Sequence, residues 1–390
     1  MIEGFSKLFE DALKLLQELC TEEGILASSI EADNYKRIWA RDSIVCGYAG
    51  LMVGDAKVID GLKNSLLSLA AHQNGLGMIP SNVLPKENDV SFGSLVGRID
   101  ANTWFILGSC MYYQKTRDEH TWQQLKPKVI KCRAFLKAVE FNSKGWLYTP
   151  LSGNWADEYP VHGYTLYDNM LRIWGESIWN LVEENEKPET EKTFQNFWPS
   201  TDTNEDLIYH KSAYQQLNLE GLSHFIAFIL PGSYDTRFDA AGNALALLQK
   251  ELNPVQKEAL SKYIDALENE MGQPLIPAFW PIITKESDDW HLLKGNFSFD
   301  FKNYPGSFHN GGVWPVWMGL FCMGLAKNGM YKEVEKIVRA FTETVRSHSH
   351  WDFQEYIHGK SLELGGKTKM GYTASGIVFM KLALDKIPTS

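Results

Sequence analysis

The chain has 390 residues, of which 44% are hydrophobic and 13% aromatic, and its 48 acidic and 38 basic side chains give a formal net charge of -10. A negative surface repels phosphate backbones and anionic lipids, which argues against nucleic acid and membrane partners. The 13 Trp, 16 Tyr and 20 Phe residues favour either a large core or rings that stack on a small neutral ligand such as a sugar.

Helical periodicity dominates the chain. Apolar residues recur at the i, i+3, i+4, i+7 spacing of an amphipathic helix from Phe5 to Leu19. Similar stripes predict helices over residues 100–116, 122–140, 164–182, 212–229, 240–250, 312–327, 331–347 and 372–384. No linker composition separates these segments, so the sequence predicts an all-α fold in which residues 1–390 form one closed barrel, although the length alone allows two or three domains.

Long breaks rich in Gly, Pro, Asn and aromatic residues separate the predicted helices. They cover residues 74–94, 142–162, 188–206, 231–239, 271–311 and 350–371. Several are too long to be plain turns between helices, and long ordered loops usually carry function. The candidate functional residues therefore lie in these loops or where the loops meet helices.

The first candidate group combines a basic and an acidic side chain. Arg41 and Asp42 follow Trp39 and place a fork of donors beside an acceptor, as needed to hold neighbouring sugar hydroxyls. An ion pair at a helix start explains the same motif equally well. Asp100 opens the next clear helix, where a capping role is the more common one.

The segment from Gly153 to Tyr159 holds two acids among aromatic rings. Rings crowded around Asp157 would remove its hydration and raise its pKa toward the range of a general acid. An acidic pair on an exposed loop is the more common arrangement, and spacing does not exclude Glu158 as the acid.

Two later segments complete the set. Residues 309–317 combine His309 and Asn310 with a glycine pair and two indoles, which suits a sugar-binding wall; a packed helix start explains the indoles but not the two polar residues. Glu355 lies between two aromatic residues just before the last helix, although a lone glutamate is more often solvated. Glycosidic hydrolysis needs two carboxyl groups, which Asp157 and Glu355 could supply.

The order of these motifs resembles the (α/α)6-barrel glycoside hydrolases, and within them the neutral/alkaline invertases and the amylo-α-1,6-glucosidase part of glycogen debranching enzymes. The resemblance runs from about Trp39 to about Phe379. It rests on residues 38–42, 97–100 with Trp104, 154–157 with Gly163 and Asn169, 309–315, 355–356 with Gly359, and 372–375. It implies an (α/α)6 barrel whose long loops carry the site at one end.

The resemblance implies an inverting mechanism, with Asp157 as general acid and Glu355 as general base. The predicted substrate-binding residues are Trp39, Arg41, Asp42, Asp100, Trp104, Trp155, His309, Asn310 and Trp314. The chain is shorter than both named groups and lacks the accessory segments of debranching enzymes. We therefore expect an exo-acting hydrolase of a short neutral saccharide, either sucrose or an α-glucoside.

Two other functions are compatible with the sequence. A sugar isomerase of the N-acylglucosamine 2-epimerase type would share the fold and abstract protons with histidines, for which His162, His309 and His358 are candidates. A sugar-binding protein without turnover would keep the aromatic cavity. No metal or cofactor is predicted, because the sequence lacks metal-ligand spacing, a phosphate loop and a dinucleotide fingerprint. The chain could form a homo-oligomer.

The cysteines bear on the compartment. Five cysteines are odd in number and show neither metal-site nor disulfide-framework spacing, so we expect buried free thiols. The first residues do not read as a leader, and no apolar run reaches the length of a membrane span. The sequence therefore predicts a cytoplasmic protein.

Overall fold

The computed structural model describes residues 2–30, 35–142, 144–186 and 188–388. Within these ranges it contains fourteen α-helices. In chain order they are α1 (Phe5–Leu19), α2 (Ala40–Val53), α3 (Ala56–Ala71), α4 (Asp100–Thr116), α5 (Glu119–Ala138), α6 (Leu166–Val182), α7 (Glu191–Phe197), α8 (Lys211–Gln215), α9 (Ala240–Gln249), α10 (Pro254–Met271), α11 (Trp290–Lys294), α12 (Pro315–Lys327), α13 (Tyr331–Ser347) and α14 (Gly371–Leu384).

Short antiparallel strands join the helices at one end. They are β1 (Ile38–Trp39), β2 (Asn82–Leu84), β3 (Asp89–Ser91), β4 (Tyr164–Thr165), β5 (Ile226–Leu230), β6 (Ser233–Asp239), β7 (Phe279–Trp280), β8 (Tyr356–Ile357) and β9 (Leu364–Gly365). They form three sheets in the orders β1-β2-β3, β4-β5-β6-β7 and β8-β9. Several strands lead directly into helices, so the sheets fix where those helices begin.

Six helices form a closed inner ring. In the order α2, α4, α6, α9, α12 and α14, each helix packs against the next. The last helix, α14, packs against α2 and closes the ring. Helix α12 is buried from Pro315 to Ala326, and α14 from Gly371 to Met380. A helix that is apolar on all sides must be surrounded by other helices, and the ring supplies those neighbours.

The outer helices are amphipathic and cover the ring. In α13 the buried residues Val334, Ile337, Val338, Phe341 and Val345 follow the helical repeat and leave the opposite face polar. Helices α1, α3 and α5 pack in the same way against α14, α2 and α4. This arrangement of inner and outer helices confirms the predicted (α/α)6 barrel.

Eight of the nine predicted helical stripes correspond to α1, α4, α5, α6, α9, α12, α13 and α14, with bounds shifted by a few residues. The predicted helix over 212–229 is wrong, because this segment contains only the short helix α8 and then enters strand β5. Residues 226–229 are buried, and a short apolar run that is buried on both faces has no distinguishing period.

Five helices were not predicted from the sequence: the long helices α2, α3 and α10, and the short helices α7 and α11, which lie in segments predicted as breaks. In α2 ten of the 14 residues are buried, among them Ser43, Gly47 and Gly50, so no polar face marks a stripe. The start of α10 did carry a signal, because Asn253 and Gln256 form a capping box around Pro254.

Glycines allow the inner helices α12 and α14 to cross closely. A Cβ atom on Gly376 would overlap the carbonyl oxygen of Pro315, and one on Gly319 would overlap that of Gly376. Gly376→Ala is therefore expected to lower the free energy of unfolding by about 1–3 kcal/mol, the usual cost of overpacking. Urea denaturation followed by tryptophan fluorescence measures this change.

A matched helical glycine serves as the control. A Cβ atom on Gly175 in α6 would meet no atom closer than 3.6 Å. Gly175→Ala is expected to raise the free energy of unfolding by about 0.4–1 kcal/mol, because alanine restricts the unfolded chain. Equal effects of the two substitutions would contradict the close crossing of α12 and α14.

Cys46, Cys110, Cys132 and Cys322 are buried free thiols, as predicted, whereas Cys20 is only partly buried. Burial raises the pKa of the Cys20 thiol to about 11. Among the described residues, none of the helices combines the length and the apolar composition that crossing a lipid bilayer would require.

Candidate active site

A cavity of about 690 Å³ opens at the end of the ring where the inner helices begin. Arg41 and Asp42 lie in the first turn of α2, and Trp314 precedes α12. Tyr372 lies in the first turn of α14, and Trp155 comes from the loop before α6. Segments far apart in sequence therefore line one space, whose volume is typical of a small-molecule site.

The two acids singled out in the sequence share this cavity. Asp157 and Glu355 both line it, together with Glu158. The predicted residues Trp39, Arg41, Asp42, Trp155, His309 and Trp314 also line it. The fold thus brings both carboxyl groups and six of the nine predicted binding residues to one place.

Arg98 binds the Asp157 carboxylate. Its Nη2 donates to Asp157 Oδ2, and its Nη1 donates to the carbonyl oxygens of Ser152 and Val96. The Arg98 side chain is only 4% exposed, whereas that of Asp157 is 25% exposed toward the cavity. A buried guanidinium group thus fixes the orientation of a carboxyl group that faces the cavity.

Glu158 has a different environment from its neighbour. Its Oε1 accepts a 3.3 Å hydrogen bond from the Ser298 N–H, and its buried Oε2 has no partner among the described residues. Burial raises the pKa of Glu158, and the charge of Asp157 raises it further. A raised pKa is the property expected of a general acid.

Glu355 is buried and held by two donors. Tyr35 donates to its Oε1 at 2.7 Å, and the backbone N–H of Lys367 donates to its Oε2 at 3.3 Å. Burial raises the pKa of Glu355, while these two hydrogen bonds act in the opposite direction. Each carboxylate oxygen has a second lone pair, so a water molecule can still be bound.

Arg41 and Asp42 form the polar floor of the cavity. Arg41 Nη1 donates to Asp100 Oδ2 at 2.8 Å, and its Nε lies 4.0 Å from Asp42 Oδ2. The guanidinium lies 5.8 Å from the centre of the Tyr372 ring. Burial raises the pKa of Asp42 to about 6, although Arg41 opposes the shift.

Aromatic rings form one wall. The ring centre of His309 lies 4.0 Å from that of Phe308, 5.0 Å from that of Trp155 and 5.4 Å from that of Trp314. Burial lowers the pKa of His309 well below its ordinary value, and the cation Arg41 adds to this. A neutral imidazole among indoles presents the apolar surface with a polar edge that suits a sugar ring.

Three predicted binding residues do not line the cavity. Trp104 Nε1 donates to the Tyr167 hydroxyl at 2.8 Å, which in turn donates to Asp100 Oδ2 at 3.1 Å. Asp100 and Trp104 are thus buried behind Arg41. Asn310 is also buried, and its side chain binds both backbone groups of Ile283 at 2.8 Å. The structure therefore does not bring these three side chains to the cavity surface; they pack behind the residues that line it.

The histidines proposed for an isomerase are not brought together. His309 lines the cavity, whereas neither His162 nor His358 is among its lining residues. The Nδ1 atom of His358 accepts hydrogen bonds from the backbone of Lys360 and Ser361. Burial lowers the pKa of His162. In the described ranges, groups of three or more His, Cys, Asp or Glu side chains that could hold a metal ion are absent.

Sequence reasoning missed several residues of the cavity. Tyr35, Phe299 and Lys302 line it but carry no motif of their own. Arg98 and Tyr372 were within the motifs that carry the resemblance, yet neither was assigned to the site. The signal for Arg98 was its place two residues before Asp100 in a conspicuous segment.

Comparison with known proteins agrees with this architecture. The family described as alkaline and neutral invertase matches residues 200–386. Alkaline/neutral invertase C, mitochondrial, from Arabidopsis thaliana is 23% identical over 90% of this chain and 62% of its own length. The probable alkaline/neutral invertase A, chloroplastic, from the same plant is 21% identical over 90% of this chain and 65% of its own length. The chain thus spans less than two thirds of these relatives.

Solved structures share the fold at low identity. The GH63 mannosylglycerate hydrolase from Thermus thermophilus, in complex with glucose, superimposes with a TM-score of 0.64 at 13% identity and covers 96% of this chain and 100% of that one. A wild-type glycosidase superimposes with a TM-score of 0.58 at 11% identity and covers 98% of each chain. The chain is therefore similar in sequence to the alkaline and neutral invertases and has the (α/α)6-barrel fold of the GH63 glycosidases.

Proposed function

We propose that this protein is an inverting, exo-acting glycoside hydrolase of a short neutral saccharide. The observation that carries the proposal is that Asp157 and Glu355 line one cavity together with indole rings and the Arg41–Asp42 pair. One carboxyl group protonates the glycosidic oxygen, and the other removes a proton from the water that attacks the sugar. The invertase relatives support this activity.

Glu355 takes the role of general base. It is fixed by two donors, and its remaining lone pairs can accept a hydrogen bond from water. Asp157 takes the role of general acid, because its motif resembles the segment that carries the general acid in the (α/α)6-barrel glycoside hydrolases. In the structure its Oδ2 also accepts a hydrogen bond from Arg98. Glu158 is the alternative acid, since burial already raises its pKa.

Sucrose is the first substrate to test, because the relatives are named invertases. A panel should contain sucrose, short α-glucosides and mannosylglycerate, the acidic substrate named for the Thermus hydrolase. We expect hydrolysis of a neutral disaccharide, with the inverted anomer appearing first by NMR. Isomerised monosaccharides would indicate the epimerase alternative, and binding without turnover would indicate a sugar-binding protein. A product of retained configuration would exclude inversion.

Two broader assignments accompany this proposal. Residues 1–390 are proposed to form one catalytic domain; in support, the hydrophobic side chains of the described residues from α1 to α14 join in one core. The free thiols favour a reducing, cytoplasmic compartment.

Phe299 is proposed to contact the second ring of the substrate. It lines the cavity, yet its side chain is 80% exposed at the rim. The Oγ atom of Ser298, beside it, lies 3.2 Å from the Oγ atom of Ser94, and both serines line the cavity. Phe299→Ala is expected to raise KM for a disaccharide about 2- to 10-fold, since one aromatic contact contributes ~0.5–1.5 kcal/mol. Steady-state kinetics measures this change.

A glycosyl fluoride provides the control substrate, because it has no second ring. Its kcat/KM is expected to be the same for Phe299→Ala and for the unmodified protein. Phe141, which is 77% exposed and does not line the cavity, is the matched control position. An equal loss with both substrates would refute the contact with the second ring.

A further inference from the structure

We propose that Tyr35 is a positioning residue for Glu355. Its hydroxyl group holds the Glu355 carboxylate in one orientation and keeps it ionised inside a buried site. The inference rests on the proposed function for the role of Glu355 as general base, but the contact between the two side chains can be tested without a substrate.

The hydrogen bond between the two residues is short and direct. Tyr35 Oη lies 2.7 Å from Glu355 Oε1, the usual distance for an O–H···O bond. An ionised carboxylate can only accept, so Tyr35 must donate. Burial, together with the nearby charge of Glu355, raises the pKa of Tyr35 well above its ordinary value. The hydroxyl therefore remains a donor over the working pH range.

Two adjacent backbone segments hold the pair. The N–H of Ser28 donates to the carbonyl oxygen of Tyr35 at 3.1 Å, and the Ser28 hydroxyl donates to the carbonyl oxygen of Thr368 at 2.9 Å. The neighbouring Lys367 forms backbone hydrogen bonds to Glu355 through its carbonyl oxygen, at 2.8 Å, and to the carboxylate through its N–H. The segment that carries Tyr35 is thus fastened to the segment that holds Glu355.

The other oxygen of the Glu355 carboxylate, Oε2, lies against the backbone of Gly366. Gly366 has a φ of 76°, and a Cβ atom at this position would overlap the Glu355 carboxyl group. The carboxylate therefore lies between the Gly366 backbone and the Tyr35 hydroxyl. Removing the Tyr35 hydroxyl would leave the contact with Gly366 in place. We therefore expect the orientation of the carboxylate to change more than its position in the fold.

The charge of Glu355 depends on this contact. Burial raises the pKa of Glu355, and the Tyr35 hydrogen bond is the larger of the two hydrogen bonds that lower it. The charge of Lys302 also lowers this pKa, and the charge of Asp42 raises it. Since a general base must be ionised, activity is present above this pKa and is lost as the pH falls through it. Loss of the Tyr35 hydroxyl raises the pKa further, so the acidic limb of the pH–rate profile moves to higher pH.

Tyr35→Phe tests the proposal, with Tyr112→Phe as the matched control. Tyr112 also donates from its hydroxyl to a carboxylate, Asp118 Oδ2, at 2.8 Å, but it lies outside the cavity. We expect Tyr35→Phe to lower kcat about 10- to 100-fold near neutral pH, as for the loss of a charged hydrogen bond that orients a reacting group. We expect Tyr112→Phe to leave kcat and the pH profile unchanged.

The second measurement is a titration without substrate. Infrared difference spectra of the full chain against Glu355→Gln isolate the Glu355 carboxyl signal. The proposal requires that the pKa of Glu355 is higher in Tyr35→Phe than in the unmodified protein. The acidic limb of the pH–rate profile must move to higher pH by the same amount. An unchanged pKa of Glu355 in Tyr35→Phe would overturn the proposal. A rise in KM, with kcat and the acidic limb of the pH–rate profile unchanged, would also overturn it. If the substrate panel yields no product, the proposed hydrolase fails, while the titration still decides whether Tyr35 controls Glu355.

Discussion

Replacing Glu355 by Gln is expected to lower kcat by about 10²- to 10⁴-fold, the usual contribution of a general base. Glutamine keeps the shape of the side chain but cannot take a proton from water. The loss should be similar for a disaccharide and for a glycosyl fluoride, because water must be activated in both reactions. Initial rates of sugar release on the two substrates measure it.

Azide provides an independent check on Glu355. This small anion attacks without losing a proton, so it should restore turnover of the fluoride by Glu355→Gln and yield a glycosyl azide. Azide should have no such effect on the unmodified protein. Near-normal turnover by Glu355→Gln without azide would remove Glu355 from the role of base.

Replacing Asp157 by Asn is expected to lower kcat for a disaccharide by about 10²- to 10⁴-fold as well, but to affect the glycosyl fluoride much less. A fluoride ion leaves without a proton, so it bypasses the general acid. The asparagine keeps an oxygen that can accept from Arg98, and a thermal unfolding curve verifies that the barrel is intact. The decisive quantity is the fold-decrease in kcat for the disaccharide divided by the fold-decrease in kcat for the glycosyl fluoride.

Glu158→Gln is the matched control for Asp157. The two acids are adjacent, line the same cavity and differ in their partners, since Arg98 binds Asp157 while Ser298 binds Glu158. If Glu158→Gln shows the selective loss on the disaccharide and Asp157→Asn does not, Glu158 is the acid. A similar loss on both substrates from either change would indicate a role in shaping the site.

Most helices of the barrel, and the placement of Asp157 and Glu355 at one cavity, could be predicted because these features leave local signals, whereas the (α/α)6 arrangement was implied by the order of the motifs. The outer helix α13 repeats its apolar residues at helical spacing, and Asp157 and Glu355 each lie among aromatic residues in long loops. Tyr35 left no such signal. Its partner lies 320 positions later in the chain, and only the fold brings the two together.

Motif order also could not separate residues that face the cavity from those behind it. Asp100 and Trp104 are one helical turn apart on α4, and both reach Tyr167. Whether such a pair contacts ligand or supports Arg41 depends on the rotation of the helix about its axis. A motif in the sequence therefore predicts the location of the site. It is less reliable in predicting which of its side chains line the cavity.

The closed ring of α2, α4, α6, α9, α12 and α14 has a consequence for the way ligand occupancy and folding are linked. A saccharide bound at the open end of the ring would contact loops from the beginning, middle and end of the polypeptide at the same time. It would therefore link these loops non-covalently for as long as it is bound. Occupancy would then stabilise the entire toroid and not a single hairpin, and catalytic competence would vanish in the same cooperative step as the tertiary structure.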